Sequence, residues 1–127
     1  MQQPVFDHEK LDVYRLAIEL VAWVGSLFSE GALVGCRLSA AKHLDEASTS
    51  VAAHIAEGNG KRSLADRSRF FEISRGSALE CAACLDVLVA RRRLDSPSAG
   101  QGKAMLVRIV SMLSKLIEKL VGPGALG

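Results

Sequence analysis

Apolar residues recur along most of this chain at the spacing of a helix surface. Leu11, Tyr14, Ile18, Val21, Val24 and Phe28 follow one another at intervals of three or four residues. That period predicts a buried stripe on a first helix over 8–28, with Asp7 as its N-cap and Ala17, Leu20 and Leu27 widening it. Trp23 falls off the stripe, which predicts either a subunit contact or a fold over a loop. Residues 29–37 have no clear period and contain Gly31 and Gly35, so they read as a connector whose Leu33 and Val34 tuck back onto the bundle.

A second helix is predicted over 39–57, with Ala40, Leu44, Ala47, Val51 and Ile55 inward. It is crowded with Ala and Ser, which let neighbouring helices approach closely. Gly58-Asn59-Gly60 reads as the turn, with Gly58 just past the helix end. Ser63 with Asp66 resembles a capping box and opens a third helix over 64–92. Phe70, Ile73, Ser77, Cys81, Cys84, Leu85 and Leu88 trace its inner face. Gly76 in mid-helix costs about 1 kcal/mol relative to Ala, which close backbone approach would explain.

The fourth helix is read over 98–121, with Leu106, Ile109, Val110, Leu113, Leu116, Ile117 and Leu120 in register. Ser96 followed by Pro97 allows a start at Ser96, whereas Gly100 and Gly102 favour a later one. Gly122-Pro123-Gly124 ends it, leaving a loose tail. Four amphipathic helices on short connectors make residues 1–127 one all-α domain, an antiparallel up-down-up-down four-helix bundle.

Composition adds that 49% of residues are hydrophobic and only 5% aromatic, so the core is aliphatic. No apolar run approaches the roughly 20 residues that span a bilayer, and MQQPVFDHEK does not read as a signal peptide. Three cysteines suggest no disulfide framework, hence a cytoplasmic location.

The net charge of +2 conceals a gradient: residues 1–60 carry four basic and eight acidic groups, and residues 61–127 twelve basic and six acidic. Lys61, Arg62, Arg67, Arg69, Arg91, Arg92 and Arg93 are the candidate nucleic-acid contacts. No aromatics are interleaved with them for base stacking, so only phosphate contact is expected. Reflecting the second helix onto the third through the glycine turn sets Glu46 near Arg75 and Lys42 near Glu80. These are expected as interhelical ion pairs that fix register.

Catalytic and metal chemistry find little support. Gly58-Asn59-Gly60-Lys61 has Ile55 and Arg62 where a phosphate-binding loop needs Gly and Ser or Thr, and it follows a helix. Cys81 and Cys84 lie in a helix interior, where small core residues are expected and redox thiols are not. His43 and His54 share a helix face about 16 Å apart, too far to hold one ion. No catalytic, metal or cofactor residues are assigned.

Several segments resemble a bacterial family called the four helix bundle proteins, which includes proteins encoded in intervening sequences of 23S ribosomal RNA genes. They are Leu11-Asp12-Val13-Tyr14, Ala47-Ser48, Ile55-Ala56-Glu57-Gly58-Asn59-Gly60, Arg69-Phe70-Phe71 and Arg75-Gly76-Ser77-Ala78-Leu79-Glu80. A more distant resemblance is to the accessory variability determinant of diversity-generating retroelements. His54, Glu57, Gly58, Gly60, Gly76 and Ser77 are the family-motif positions; His54 stands where many members carry Asn. The resemblance implies a homo-oligomeric ring, a pentamer, without enzyme activity. For the retroelement relative it also implies a basic surface for nucleic acid and a protein partner. The expected function is a non-enzymatic scaffold or adaptor that touches RNA or a ribonucleoprotein through a basic surface. The alternative is a protein-only assembly module with no RNA or DNA contact.

Overall fold

The computed structural model describes residues 5–122; the tail expected after Gly122 lies outside them. A 3-10 turn, Asp7–Lys10, leads into α1 (Asp12–Ser29), followed by α2 (Ser39–Gly60), α3 (Leu64–Ala90) and α4 (Ser96–Val121). The described residues contain no strand. Each helix packs on two neighbours, α1 and α3 both against α2 and α4, closing a four-helix ring around one aliphatic core.

Helices α2 and α3 run in opposite directions, as do α3 and α4. Across α2 and α3, Gly58 meets Phe70 and Phe71, Val51 meets Ser74, and Ser50 meets Ser77. Across α3 and α4, Arg75 bonds Ser114 and Asp86 pairs with Lys103.

The first helix is interrupted where the sequence predicts continuity. Leu11 is extended (φ −78°, ψ 128°) and separates the 3-10 turn from α1. Asp7 is not an N-cap. The Phe6 N–H donates to the Glu9 carboxylate instead, and Asp7 accepts a hydrogen bond from Asn59 of α2. The buried face of α1 is Val13, Leu16, Ala17, Leu20, Val24 and Leu27, rotated from the predicted stripe, so Ile18 is exposed. In the connector Leu33 is buried, its N–H bonded to the Leu27 carbonyl at 2.8 Å, while Val34 faces solvent. Gly35 takes the left-handed φ of +71° that only glycine adopts without strain.

Helix α2 runs past its expected end through Gly58, Asn59 and Gly60, and the turn is residues 61–63. Burial explains why glycine does not stop it. A Cβ on Gly58 would lie 3.0 Å from the Phe70 Cβ and from the Phe71 ring. The glycine therefore admits α3, and tertiary contact overrides the low helix propensity. Displacing the turn shifts the α2–α3 register, so Arg75 reaches α4 and not Glu46. Neither expected ion pair forms: Glu46, Lys42 and Glu80 are all exposed, and the Arg75 Nε donates to Ser114 Oγ at 3.0 Å.

The inner face of α3 is Ser68, Phe71, Ser74 and Ala78, and then Cys81, Cys84, Leu85 and Leu88 as predicted. Gly76 has no close neighbour: a Cβ there would find nothing within 4 Å. The close approach occurs at Gly102 of α4, whose missing Cβ would sit 2.5 Å from the Trp23 indole. Trp23 thus packs between α1 and α4 of its own chain. Helix α4 starts at Ser96, and its N-cap is Asp95, whose carboxylate accepts from the Ser98 N–H at 2.7 Å.

Candidate nucleic-acid interface

The predicted basic residues separate into two clusters. Helix α3 has 27 residues, which at 1.5 Å per residue spans about 40 Å. Lys61, Arg62, Arg67 and Arg69 lie at its N-terminal end and Arg91, Arg92 and Arg93 at its C-terminal end, so they form no single continuous patch.

The first cluster is built on the 61–63 turn. The Ser63 hydroxyl caps α3 by accepting the Asp66 N–H at 3.1 Å, which sets the direction in which the first turns of α3 leave α2. This places half-buried Phe70 against the end of α2. Lys61 Nζ stands 4.8 Å from the ring centre and the Arg69 guanidinium carbon 4.6 Å from it. Both cations are held by the electron-rich ring face. The His54 imidazole stacks on the same phenyl group, with centroids 5.9 Å apart and planes inclined by 23°.

His54 is itself fixed. Its Nδ1 lies 2.9 Å from the Ser50 carbonyl oxygen and 3.0 Å from Ser50 Oγ, which is 2.8 Å from Ser77 Oγ on α3. A carbonyl oxygen only accepts, so this contact places a proton on Nδ1. The expectation that no aromatic accompanies the basic residues is therefore corrected. Arg69 and Phe70 are adjacent in the sequence, but nothing in it sets Lys61 or His54 beside them, because both arrive from outside α3.

Arg67 plays a different part. Its Nη2 donates to Asn59 Oδ1 at 3.3 Å, and Asn59 Nδ2 donates to Asp7 Oδ2 at 2.8 Å. Asp7, Asn59 and Arg67 thus tie the N-terminal turn to α2 and α3, and the buried Arg67 Nε has no partner. This guanidinium serves the fold. Arg62 and Glu57 are exposed at the same end, as is Gly60 at the last position of α2.

The second cluster sits on the end of α3. The Arg92 N–H bonds the Val89 carbonyl at 3.0 Å and the Arg93 N–H the Leu88 carbonyl at 2.9 Å. These two bonds form a Schellman cap with Arg92 in the left-handed position, φ +61°, where glycine is usual. Arg91, Arg92 and Arg93 are all exposed, beside a shallow groove that runs from Ala32 to Ser96.

A third surface feature is apolar. Between α3 and α4 a groove is lined by Ala78, Leu79, Ala82, Leu106, Val107 and Val110, with Lys103 at its edge. Leu79 and Val107 on it are 49% and 68% exposed. The Lys103–Asp86 pair on the same side is the one ion pair among the described residues, and both partners are largely exposed. Cys81 and Cys84 lie in the core, where burial first, then the charges of Cys84 and Glu80, push the Cys81 thiol up to about 12. No three metal-ligating side chains converge among the described residues, and no described helix is long and apolar enough to cross a membrane.

The family model described as 23S rRNA-intervening sequence protein matches residues 9–115. A solved structure of similar fold is a protein with unknown function from the S23 ribosomal protein family of Bacteroides thetaiotaomicron. It superimposes with a TM-score of 0.77 at 20% identity, covering 84% of this chain and 98% of that one. No curated protein matches. Neither comparison indicates an enzyme.

Proposed function

Because the chain belongs to the 23S rRNA-intervening sequence protein family, we propose that it is a non-enzymatic, self-assembling scaffold that holds RNA or a ribonucleoprotein on the basic ends of α3. The observation that carries this reading is the open apolar groove between α3 and α4, with Leu79 and Val107 facing outward. A contiguous apolar patch of this kind is what an interaction surface requires. Covering it with a second copy leaves Lys61, Arg62 and Arg69 at one end and Arg91, Arg92 and Arg93 at the other. A ring, pentameric as the family resemblance implies, would repeat both basic clusters around its rim. Repetition strengthens individually weak phosphate contacts.

A second reading takes support from the same groove. Its lining side chains are apolar except for Lys103 and Ser111, which suits a protein partner and asks for no nucleic acid. In that reading the chain is a protein-only adaptor.

The test is the mass of the assembly and its binding to RNA and DNA, measured on one preparation at two salt concentrations. The scaffold reading expects a defined oligomer that falls apart when Leu79→Asp and Val107→Asp are combined. It also expects RNA affinity that drops steeply with salt, because phosphate contacts release counterions. A stable oligomer that binds no nucleic acid at low salt moves the conclusion to the protein-only adaptor. A monomer at all concentrations overturns self-assembly.

A further inference from the structure

We infer that the His54–Phe70 stack is a docking point for an unpaired stretch of nucleic acid. Its bases lie against the stack and its phosphates on Lys61 and Arg69. The inference rests on the RNA-binding reading above and adds which cluster does the recognising and which form of nucleic acid it selects.

Preorganisation is the first argument. A surface Lys or Arg normally loses considerable side-chain freedom on binding a phosphate. Here both are already drawn onto the Phe70 ring, at 4.8 Å and 4.6 Å from its centre. Part of that ordering cost is met in the free protein, which favours binding.

The second argument is the flat surface. Single-stranded nucleic acid is held by stacking its bases on aromatic rings and on guanidinium planes. The His54 ring, stacked on Phe70, and the adjoining Arg69 guanidinium supply both kinds of plane. The Ser50 and Ser77 hydroxyls hold the imidazole in one orientation. They leave the Nε2 edge of the ring to meet a base edge.

A second aromatic platform stands at the same end. Phe6 is 74% exposed and stacks on His8, centroids 5.7 Å apart and planes within 12°, and His8 meets Tyr14 edge-on at 4.6 Å. The Asp7–Asn59–Arg67 chain ties this platform to the one on Phe70. An extended strand crossing that bridge would meet aromatic rings on both sides of it.

The contrast with the other cluster supplies the discrimination. The groove beside Arg92 and Arg93 is lined by Ala32, Val89, Leu94, Asp95 and Ser96, with no aromatic ring. Such a surface meets phosphates alone and treats duplex and single strand alike. The Phe70 end needs exposed base faces, which a duplex hides.

The experiment measures fluorescence anisotropy of the full chain with labelled single-stranded RNA of about 12 nucleotides, a length within known site sizes. The same sequence is tested as single-stranded DNA and as an RNA duplex. The unsubstituted chain is expected to prefer single strands to duplex. His54→Ala and Phe70→Leu should each weaken single-strand binding roughly 5- to 150-fold, the range for one base stack. They should leave duplex binding nearly unchanged. Because Phe70 also touches Gly58, the surface pair Lys61→Gln/Arg69→Gln is the safeguard against misfolding. It should flatten the slope of log K against log salt by about 1.4, two phosphates' worth on a single strand.

Arg91→Gln/Arg93→Gln is expected to lower affinity for single strand and duplex by the same factor. Preference for RNA over DNA would assign the ligand to RNA, and equal binding would make it a single strand of either sugar; both support the inference. If the unsubstituted chain binds, but binds duplex as tightly or is indifferent to the His54 and Lys61/Arg69 substitutions, this inference falls and the scaffold reading stands. If the unsubstituted chain binds no nucleic acid at low salt, both fall.

Discussion

The six-membered ring of the Trp23 indole lies where a side chain on Gly102 would be: a Cβ built there comes within 2.5 Å of Trp23 Cζ3 and 3.0 Å of Leu85 Cδ1. Glycine in the first turns of α4 is therefore a packing requirement that outweighs its poor helix propensity. Gly102→Ala gains about 1 kcal/mol of propensity but overpacks a rigid indole, at a cost of typically 1–3 kcal/mol. A net loss of stability is expected in urea denaturation. Gly76→Ala is the matched control, since open space surrounds that position, and it should raise stability by roughly 0.5–1 kcal/mol. Equal effects of opposite expectation, with Gly102→Ala stabilising as well, would mean that the indole moves aside at little cost.

These two glycines also show how far the sequence could be read. Four helices and their approximate ends follow from apolar periodicity and capping residues. The second half of α3 is legible because Cys81, Leu85 and Leu88 are apolar and inward. Its first half is not, because Phe71 is the one large inward side chain there, the other inward positions being Ser68, Ser74 and Ala78, while Ile73 is exposed. Periodicity detects large apolar side chains, whereas close helix contact selects small ones whatever their polarity. Ser74 completes the point by donating its hydroxyl to the Val51 carbonyl at 2.8 Å.

The candidate site was harder still. Lys61, Arg62, Arg67 and Arg69 were visible as charges, but their division of labour depends on Phe70, Asn59 and Asp7. Asp7 and Asn59 are 52 residues apart in the chain, and no local pattern joins them. The extension of α2 through Gly60, which local propensity opposes, brings them together.

Arg92 holds a left-handed backbone at φ +61° to complete the α3 cap. For a residue with a Cβ that conformation costs roughly 1–2 kcal/mol. Arg92→Gly should therefore raise the thermal midpoint, corresponding to about 1 kcal/mol after the extra freedom of the unfolded glycine is deducted. Arg93→Gly, at a position without positive φ, should lower it. A destabilised Arg92→Gly protein would show that the Arg92 side chain contributes more than its strained backbone costs.

The N-terminus of α4 carries an acid-sensitive cap. The Ser98 backbone N–H, and then its hydroxyl, hold the Asp95 carboxyl below the usual carboxylate range. A depressed folded value means that the unfolded chain takes up the proton first. The cap's contribution is thus present above the unfolded value near 3.8 and fades as pH falls through the lower folded one. Stability measured against pH should therefore differ between the unsubstituted chain and Asp95→Ala at neutral pH and converge in acid. Asp95→Asn, which keeps the acceptor oxygen without the titration, should not converge. Parallel curves for all three proteins would remove the cap from the account.

At the opposite end of the pH scale the relevant group is Cys81. Burial, with smaller contributions from Cys84 and Glu80, raises its thiol from 9.0 to about 12. The folded chain then keeps its proton where the unfolded chain has lost it. Stability is unaffected below pH 9 and declines as pH rises from 9 toward 12, by at most about 1.4 kcal/mol per pH unit. Replacing the thiol by Cys81→Ala should flatten that limb of the profile, at the price of some core packing that lowers the whole curve. The same burial makes a kinetic prediction. Only the thiolate alkylates, so in the native protein iodoacetamide at pH 8 should modify half-buried Cys36 first, while Cys81 stays protected until denaturant is added. Mass spectrometry of the digested protein reads the order directly. Modification of Cys81 at the rate of Cys36 would mean that α3 opens locally on the labelling timescale, and the core drawn around Leu85 and Leu88 would need to be looser than its packing implies.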